Sequence, residues 1–200
     1  MMEQAQKFGA EVEFGVVAEE VNLGKPAHRI RVGNRTIETR ALIVATGAGH
    51  RHLGVPGEKE LETKGVTYCA TCDGALPMFR DQPLVVVGGG DSACEEATFL
   101  TRFASKVYLV HRRGELRASR IMAERALGNA KIEPVWNSVV ESVEGVKEGK
   151  VTGVKLKDMA TGKSSALPCA GVFIAVGHVP NTQIFQGKLK MDEAGYLQIG

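Results

Sequence analysis

Residues 83–93, PLVVVGGGDSA, set a β-branched apolar run directly against three glycines and a polar opening. Pro83–Val87 is short, continuous and apolar, which predicts a strand buried on both faces. Beyond the glycines, Ala93, Ala97, Leu100 and Ala104 recur at helical spacing, predicting a helix from Asp91 to about Phe103. Val107–Val110 is the next apolar strand. Strand, glycine turn, helix and strand make a parallel βαβ unit. Gly88, Gly90 and Ala93 fill the fixed positions of the G-x-G-x-x-G/A fingerprint. Gly88 permits the tight turn, Gly90 lets backbone approach a pyrophosphate, and Ala93 keeps helix and strand close. Phosphates then meet the unpaired N–H groups at a helix start. The motif is weak alone, and a plain structural turn is its bland alternative. Its position between a predicted strand and a predicted helix favours dinucleotide binding.

The end of the second strand distinguishes the cofactors. An enzyme selective for NAD places Asp or Glu about 20 residues past the glycines, on the ribose hydroxyls. Here that place holds His111, Arg112 and Arg113, with Arg117 one turn later. A 2′-phosphate would gain charge-assisted hydrogen bonds there, each worth about 1.5–3 kcal/mol. A solvated basic loop is the alternative. The cluster's position after a dinucleotide fold points to NADPH.

Working outward, Val12, Phe14 and Val16 share one parity, and Ile30 and Val32 alternate with Arg29 and Arg31. These predict half-buried strands with turns at Gly24 and Gly33. ALIVATG (41–47) reads as a fully buried strand ending at Gly47, followed by a polar connection. A second helix is expected from about Ser119 to Leu127, and strands resume over 135–143 and 151–157. Leu42–Gly47 resembles Val172–Gly177, as if two related nucleotide-binding domains closed alike; buried strands also resemble each other by chance. The expected fold class is α/β: a Rossmann-like parallel sheet plus a β-meander, with a second, incomplete domain. The expected domains are 1–50 with 179–200, and 51–178.

Composition excludes several classes. The chain is 44% hydrophobic and 24% charged with a net charge of +2, so nothing suggests a nucleic-acid binder. No apolar run approaches the roughly 20 residues that span a bilayer, and MMEQAQKFGAEVEFG lacks the apolar core of a signal peptide. Four cysteines are too few for a disulfide scaffold, so a cytoplasmic protein with a chemical Cys pair is expected.

That pair is Cys69 and Cys72 in TYCATCDG (67–74). A free thiol is only about 3% thiolate at pH 7, and CxxC surroundings raise that toward about half. One sulfur becomes a nucleophile and the other its resolving partner. A zinc site needs two further ligands, and Cys94 and Cys169 stand alone, so no metal is expected. Asp73 reads either as a turn or cap residue or as a proton donor beside a nascent thiolate.

In order and spacing, CATCDG, VVVGGGDSACEEA, HRRGELRA and AVGHVPNT resemble the low-molecular-weight thioredoxin reductases. The resemblance covers nearly the whole chain and implies electron flow from NADPH through FAD and the CxxC disulfide to thioredoxin. Cys72 would face the flavin, Cys69 would be the interchange thiol, and Asp73 the general acid. Gly88, Gly90, Asp91, Ser92 and Ala93 would line the NADPH pyrophosphate, with His111, Arg112, Arg113 and Arg117 at its 2′-phosphate end. Thr46 and Gly47 would lie beside FAD, and Gly177 and His178 near the nicotinamide. A homodimer is expected from the same resemblance. The family's first FAD-gripping glycine motif and its closing Gly-Asp motif have no counterpart here, so the expectation is an internal fragment. Two alternatives stand beside this: an NADPH-binding module without flavin, and a flavoprotein reductase of a peroxiredoxin-type partner.

Overall fold

The apolar run after Pro83 becomes the middle of a parallel sheet because both its faces are covered. The structure is a computed structural model that describes residues 2–199. Its elements, in chain order, are α1 (Met2–Lys7), β1 (Glu20–Asn22), β2 (His28–Val32), β3 (Arg35–Thr39), β4 (Ala48–His50), β5 (Val66–Thr67), α2 (Ala70–Asp73), β6 (Pro83–Gly88), α3 (Asp91–Leu100), β7 (Lys106–Val110), α4 (Arg120–Leu127), β8 (Ile132–Val135), β9 (Ser138–Glu144), β10 (Gly153–Asp158), β11 (Ser164–Pro168), β12 (Gly171–Ala175) and β13 (His178–Pro180). The chain divides into two units, residues 1–49 with 179–200, and residues 50–178.

In the larger unit the sheet order is β5-β12-β6-β7-β8, and every pairing is parallel. Side chains alternate across it. Leu84, Val86, Val107, Leu109 and Phe173 point toward the helices, packing with Ala93, Cys94, Ala97 and Leu100 of α3 and Ala126 of α4. Val85, Val87, Val110, Val172 and Ile174 pack with Val140, Val143, Val154 and Leu156. These last four lie on β9 and β10, in the antiparallel sheet β11-β10-β9. The layers are therefore helices, parallel sheet and meander, as the sequence predicts.

In the smaller unit β1, β2 and β3 form an antiparallel sheet in which Val21 faces Ile30. Val21, Ile30 and Phe185 are its buried centre, with Leu42, Val44 and Ile184 against them. Two expectations fail here. Val12, Phe14 and Val16 are exposed and belong to no strand. Residues 41–47 form no strand either, and Ile43 is 91% exposed. An apolar segment becomes a strand only where a second strand takes its N–H and C=O groups in a ladder, and among the described residues no strand pairs with either segment. The likeness between 41–47 and 172–177 thus does not extend to strand structure, which only the second of them adopts. Among the described residues no helix is long and apolar enough to cross a membrane.

Glu58 closes the loop leading into the larger unit. It is 3% exposed and accepts the N–H groups of Leu53 (3.0 Å), Gly54 (2.7 Å) and Val55 (3.4 Å) and the Tyr68 hydroxyl (3.0 Å). Burial pushes its pKa up, but these donors outweigh burial and hold it below 4.5. A depressed folded pKa gives stability that is present above the unfolded value and lost as pH falls through the folded one. Glu58→Gln is expected to cost about 1–3 kcal/mol at pH 7. In urea melts its deficit against wild type should shrink once the pH drops below about 4. A deficit unchanged down to pH 3 would refute the assigned charge.

Candidate functional site

Register places two chemical features at one edge. Phe173 lies level with Thr67 on one side and Val86 on the other. Cys69 follows Thr67 by two residues and Gly88 follows Val86 by two. The dithiol segment and the glycine turn thus both leave the carboxyl edge of the same parallel sheet, where ligands of open α/β sheets bind.

Cys69 and Cys72 are joined in a disulfide. Cys69 is the N-cap of α2, and its Sγ accepts the Cys72 N–H at 3.2 Å and lies 3.4 Å from the Thr71 hydroxyl. Both groups would also solvate a thiolate at that sulfur, in the way that helix-start donors favour negative charge. Asp73 closes the same short helix, and Thr67 Oγ1 donates to its Oδ2. Thr67 also accepts the Cys69 N–H at 3.3 Å, so one buried hydroxyl anchors both ends of the CxxC turn. Burial pushes the thiol of Cys94 up and that of Cys169 up to about 12, leaving the CxxC pair as the accessible sulfur chemistry.

The glycine turn is shaped by contact. A Cβ on Gly88 would lie 2.4 Å from the Ala175 carbonyl oxygen and 2.7 Å from the Ala93 methyl. One on Gly89 would sit 2.2 Å from the His111 ring. At Gly90, the N-cap of α3, a Cβ would meet nothing within 4 Å, and no side chain caps the helix. Gly90 therefore faces open space with helix-start amides beside it. Ser92 is exposed and Ala93 buried.

The basic loop folds back onto this turn. The Arg117 N–H donates to the Gly89 carbonyl at 2.6 Å, and Asp91 Oδ1 accepts the Ser119 N–H at 2.6 Å. Asp91 thus ties the loop down; that bond uses the carboxylate expected beside the pyrophosphate. His111 departs from expectation in the same way. It is 7% exposed, its ring lies against Gly89, and burial lowers its pKa ahead of the neighbouring arginines. A ring confined between strand end and turn supports the turn. Arg112, Arg113 and Arg117 are exposed, and among the described residues none forms an ion pair. Open backbone, helix-start donors and unpaired guanidinium groups fit a ligand that carries phosphates.

Gly177 accepts the Arg51 N–H at 3.0 Å, and the ring of His178 lies 5.2 Å from that of His50. His50 in turn stacks on Tyr68, the residue before Cys69. In the smaller unit, Thr46 and Gly47 are exposed. Asn181 takes both their carbonyls, through its Nδ2 at 3.1 Å and its N–H at 3.0 Å. The described residues therefore offer a flavin two exposed positions without a cradle. Gly89, Thr67 and Glu58 are site residues that sequence reasoning missed. The only local signal for any of them was the third glycine of the turn.

The chain matches the pyridine nucleotide-disulphide oxidoreductase family over residues 3–200. A thioredoxin reductase of Mycolicibacterium smegmatis is 51% identical over 199 residues, covering 100% of this chain and 62% of the relative. One from Listeria monocytogenes is 48% identical over 98% of this chain and 60% of its own length. The crystal structure of Lactococcus lactis thioredoxin reductase in its FR conformation superposes with a TM-score of 0.81 at 39% identity, over 91% of this chain and 59% of that one. The chain thus spans about three fifths of the length of these relatives.

Proposed function

Because the chain belongs to the pyridine nucleotide-disulphide oxidoreductase family, we propose that it carries the nucleotide-binding and dithiol functions of a thioredoxin reductase. Reducing equivalents enter from NADPH and leave through Cys69 and Cys72 to the disulfide of thioredoxin. The observation that supports this most is the emergence of the disulfide and the glycine turn from one edge of one sheet. Gly88, Gly90, Ser92 and the start of α3 hold the pyrophosphate, and Arg112, Arg113 and Arg117 hold the 2′-phosphate. NADPH supplies a hydride when bound.

The exchange step follows from the residues at α2. With the pair reduced, the Cys69 thiolate, steadied by the Cys72 N–H and the Thr71 hydroxyl, attacks one sulfur of the thioredoxin disulfide. That bond breaks, a mixed disulfide forms at Cys69, and the other thioredoxin sulfur leaves as a thiolate. Cys72 then attacks Cys69, re-forming the internal disulfide and releasing the second thioredoxin thiolate. Asp73, whose Oδ2 accepts from the Thr67 hydroxyl, supplies a proton to a leaving sulfur in this reading.

The test needs only the chain, prereduced and freed of reductant, mixed with oxidised thioredoxin. Wild type is expected to yield reduced thioredoxin stoichiometrically. Cys72→Ser should stall as a mixed disulfide visible by mass, and Cys69→Ser should yield none. A mixed disulfide formed by Cys69→Ser would reverse the two roles, and an inert wild-type dithiol would sink the reading.

A further inference from the structure

The strand that leads into the dithiol ends in a hydroxyl with two engagements. Thr67 closes β5, the edge strand of the parallel sheet, and is 6% exposed. Val66 before it packs toward the meander, so alternation turns Thr67 to the helix face, beside α2. A threonine hydroxyl has one proton and two lone pairs. One lone pair of Thr67 Oγ1 takes the Cys69 N–H at 3.3 Å, and its proton goes to Asp73 Oδ2. Asp73 returns the connection, since its own N–H donates to the Cys69 carbonyl at 3.1 Å. Three hydrogen bonds thus close a ring through Thr67, Cys69 and Asp73. Cys69 and Asp73 stand four residues apart, the spacing that puts two residues on one side of a helical turn. Among the described residues Thr67 Oγ1 has no other acceptor for its proton. Oδ2 is therefore committed as an acceptor, and of the two carboxyl oxygens only Oδ1 is left to carry a proton.

We propose that Thr67 is a positioning residue for the exchange step, holding Asp73 so that Oδ1 delivers the proton to the sulfur that leaves. The proposal rests on the reading of Cys69 as the attacking thiol and Asp73 as the proton donor. When the Cys69 thiolate attacks a disulfide, a bond forms between its Sγ and the nearer sulfur. The old S–S bond breaks, and its electron pair goes to the far sulfur, which takes the proton from Oδ1. Asp73 is left as a carboxylate, which Thr67 still holds through Oδ2 and which regains its proton from water. A proton matters little to a thiol that leaves readily as an anion and much to a basic one. Thr67 should therefore count in proportion to the basicity of the leaving thiol. A hydroxyl that merely braced the turn would affect every disulfide alike.

The experiment uses the whole chain carrying Cys72→Ser, reduced, so that Cys69 alone reacts at the turn while Cys94 and Cys169 stay buried. Two uncharged probes are compared near pH 7: dithiodipyridine, whose thiol leaves as a stable anion, and hydroxyethyl disulfide, whose alkyl thiol is basic. Adding Thr67→Val is expected to lower the rate with hydroxyethyl disulfide about 10- to 100-fold more than the rate with dithiodipyridine. Thr67→Ser, which keeps the hydroxyl, should restore the alkyl rate. Asp73→Asn should show the same selective loss, and Thr67→Val should add nothing to it. Equal slowing of both probes by Thr67→Val, or slowing of neither, would overturn the proposal. So would an Asp73→Asn chain without the selective loss, a result that stands even if Thr67→Val does not fold. A parent chain that reacts with neither probe would sink the reading of Cys69 as well, which separates the two failures.

Discussion

Replacing Arg112 and Arg113 together by alanine is expected to weaken NADPH binding by about 100-fold, equivalent to roughly 2.7 kcal/mol, while NADH binding stays within about twofold. Both side chains are exposed and lack an ion-pair partner among the described residues, so their removal leaves no stranded buried charge. The loop that carries them is fixed by backbone, through Arg117 to Gly89, Ser119 to Asp91, and the Asn137 N–H to the Arg113 carbonyl at 3.2 Å. Its shape should survive the substitution, and what disappears is the charge that meets a 2′-phosphate. The two nucleotides differ only in that phosphate, so NADH serves as the internal control. Titration calorimetry of the chain with each nucleotide reads the difference. Equal loss for both, or none for either, would mean that the guanidinium groups do not face the phosphate.

The largest stability effect is expected from Phe173→Ala, at about 3–5 kcal/mol. Phe173 is fully buried in β12, with its ring edge-on to Phe79 at 5.1 Å. Gly171 gives that pair room, since a Cβ there would stand 2.5 Å from the Phe79 ring. The cavity opens in the strand that joins β5 to β6, level with Thr67 and Val86. Both functional edges should loosen with it: faster amide exchange is expected at Cys69 and Cys72 and at Gly90 and the start of α3. Urea unfolding measures the first effect and hydrogen exchange the second. A loss below 1 kcal/mol would show that the helix-side core does not depend on this ring.

Much of the site was legible locally. The CxxC pair, the fingerprint glycines and the arginine cluster are defined by residue type and spacing; the glycines lie in the predicted turn and the arginines after the predicted strand, while the short helix that starts at Cys69 was not foreseen. His111 and Asp91 were harder to read. Next to two arginines a histidine looks like a phosphate ligand, yet it is buried against Gly89, and only packing could show that. Asp91 looks like part of the fingerprint, yet its carboxylate holds Ser119, a contact across the helix and strand between them. Glu96 sits beside Glu95 in an unremarkable acidic pair, and nothing local separates the exposed member from the one whose Oε2 is buried.

By itself the sequence determined the βαβ unit, its glycine turn and the CxxC pair, because backbone freedom, side-chain alternation and helical spacing act over a few neighbouring residues. Tertiary structure alone decided that the dithiol and the turn share an edge, since parallel pairing joins Thr67, Phe173 and Val86 across long stretches of chain. It also decided which apolar runs became strands. Residues 171–175 found strand partners on both sides, whereas the apolar run 41–47 found no strand partner among the described residues and stayed irregular. Ladder hydrogen bonds need a second chain segment, and no property of one segment supplies it.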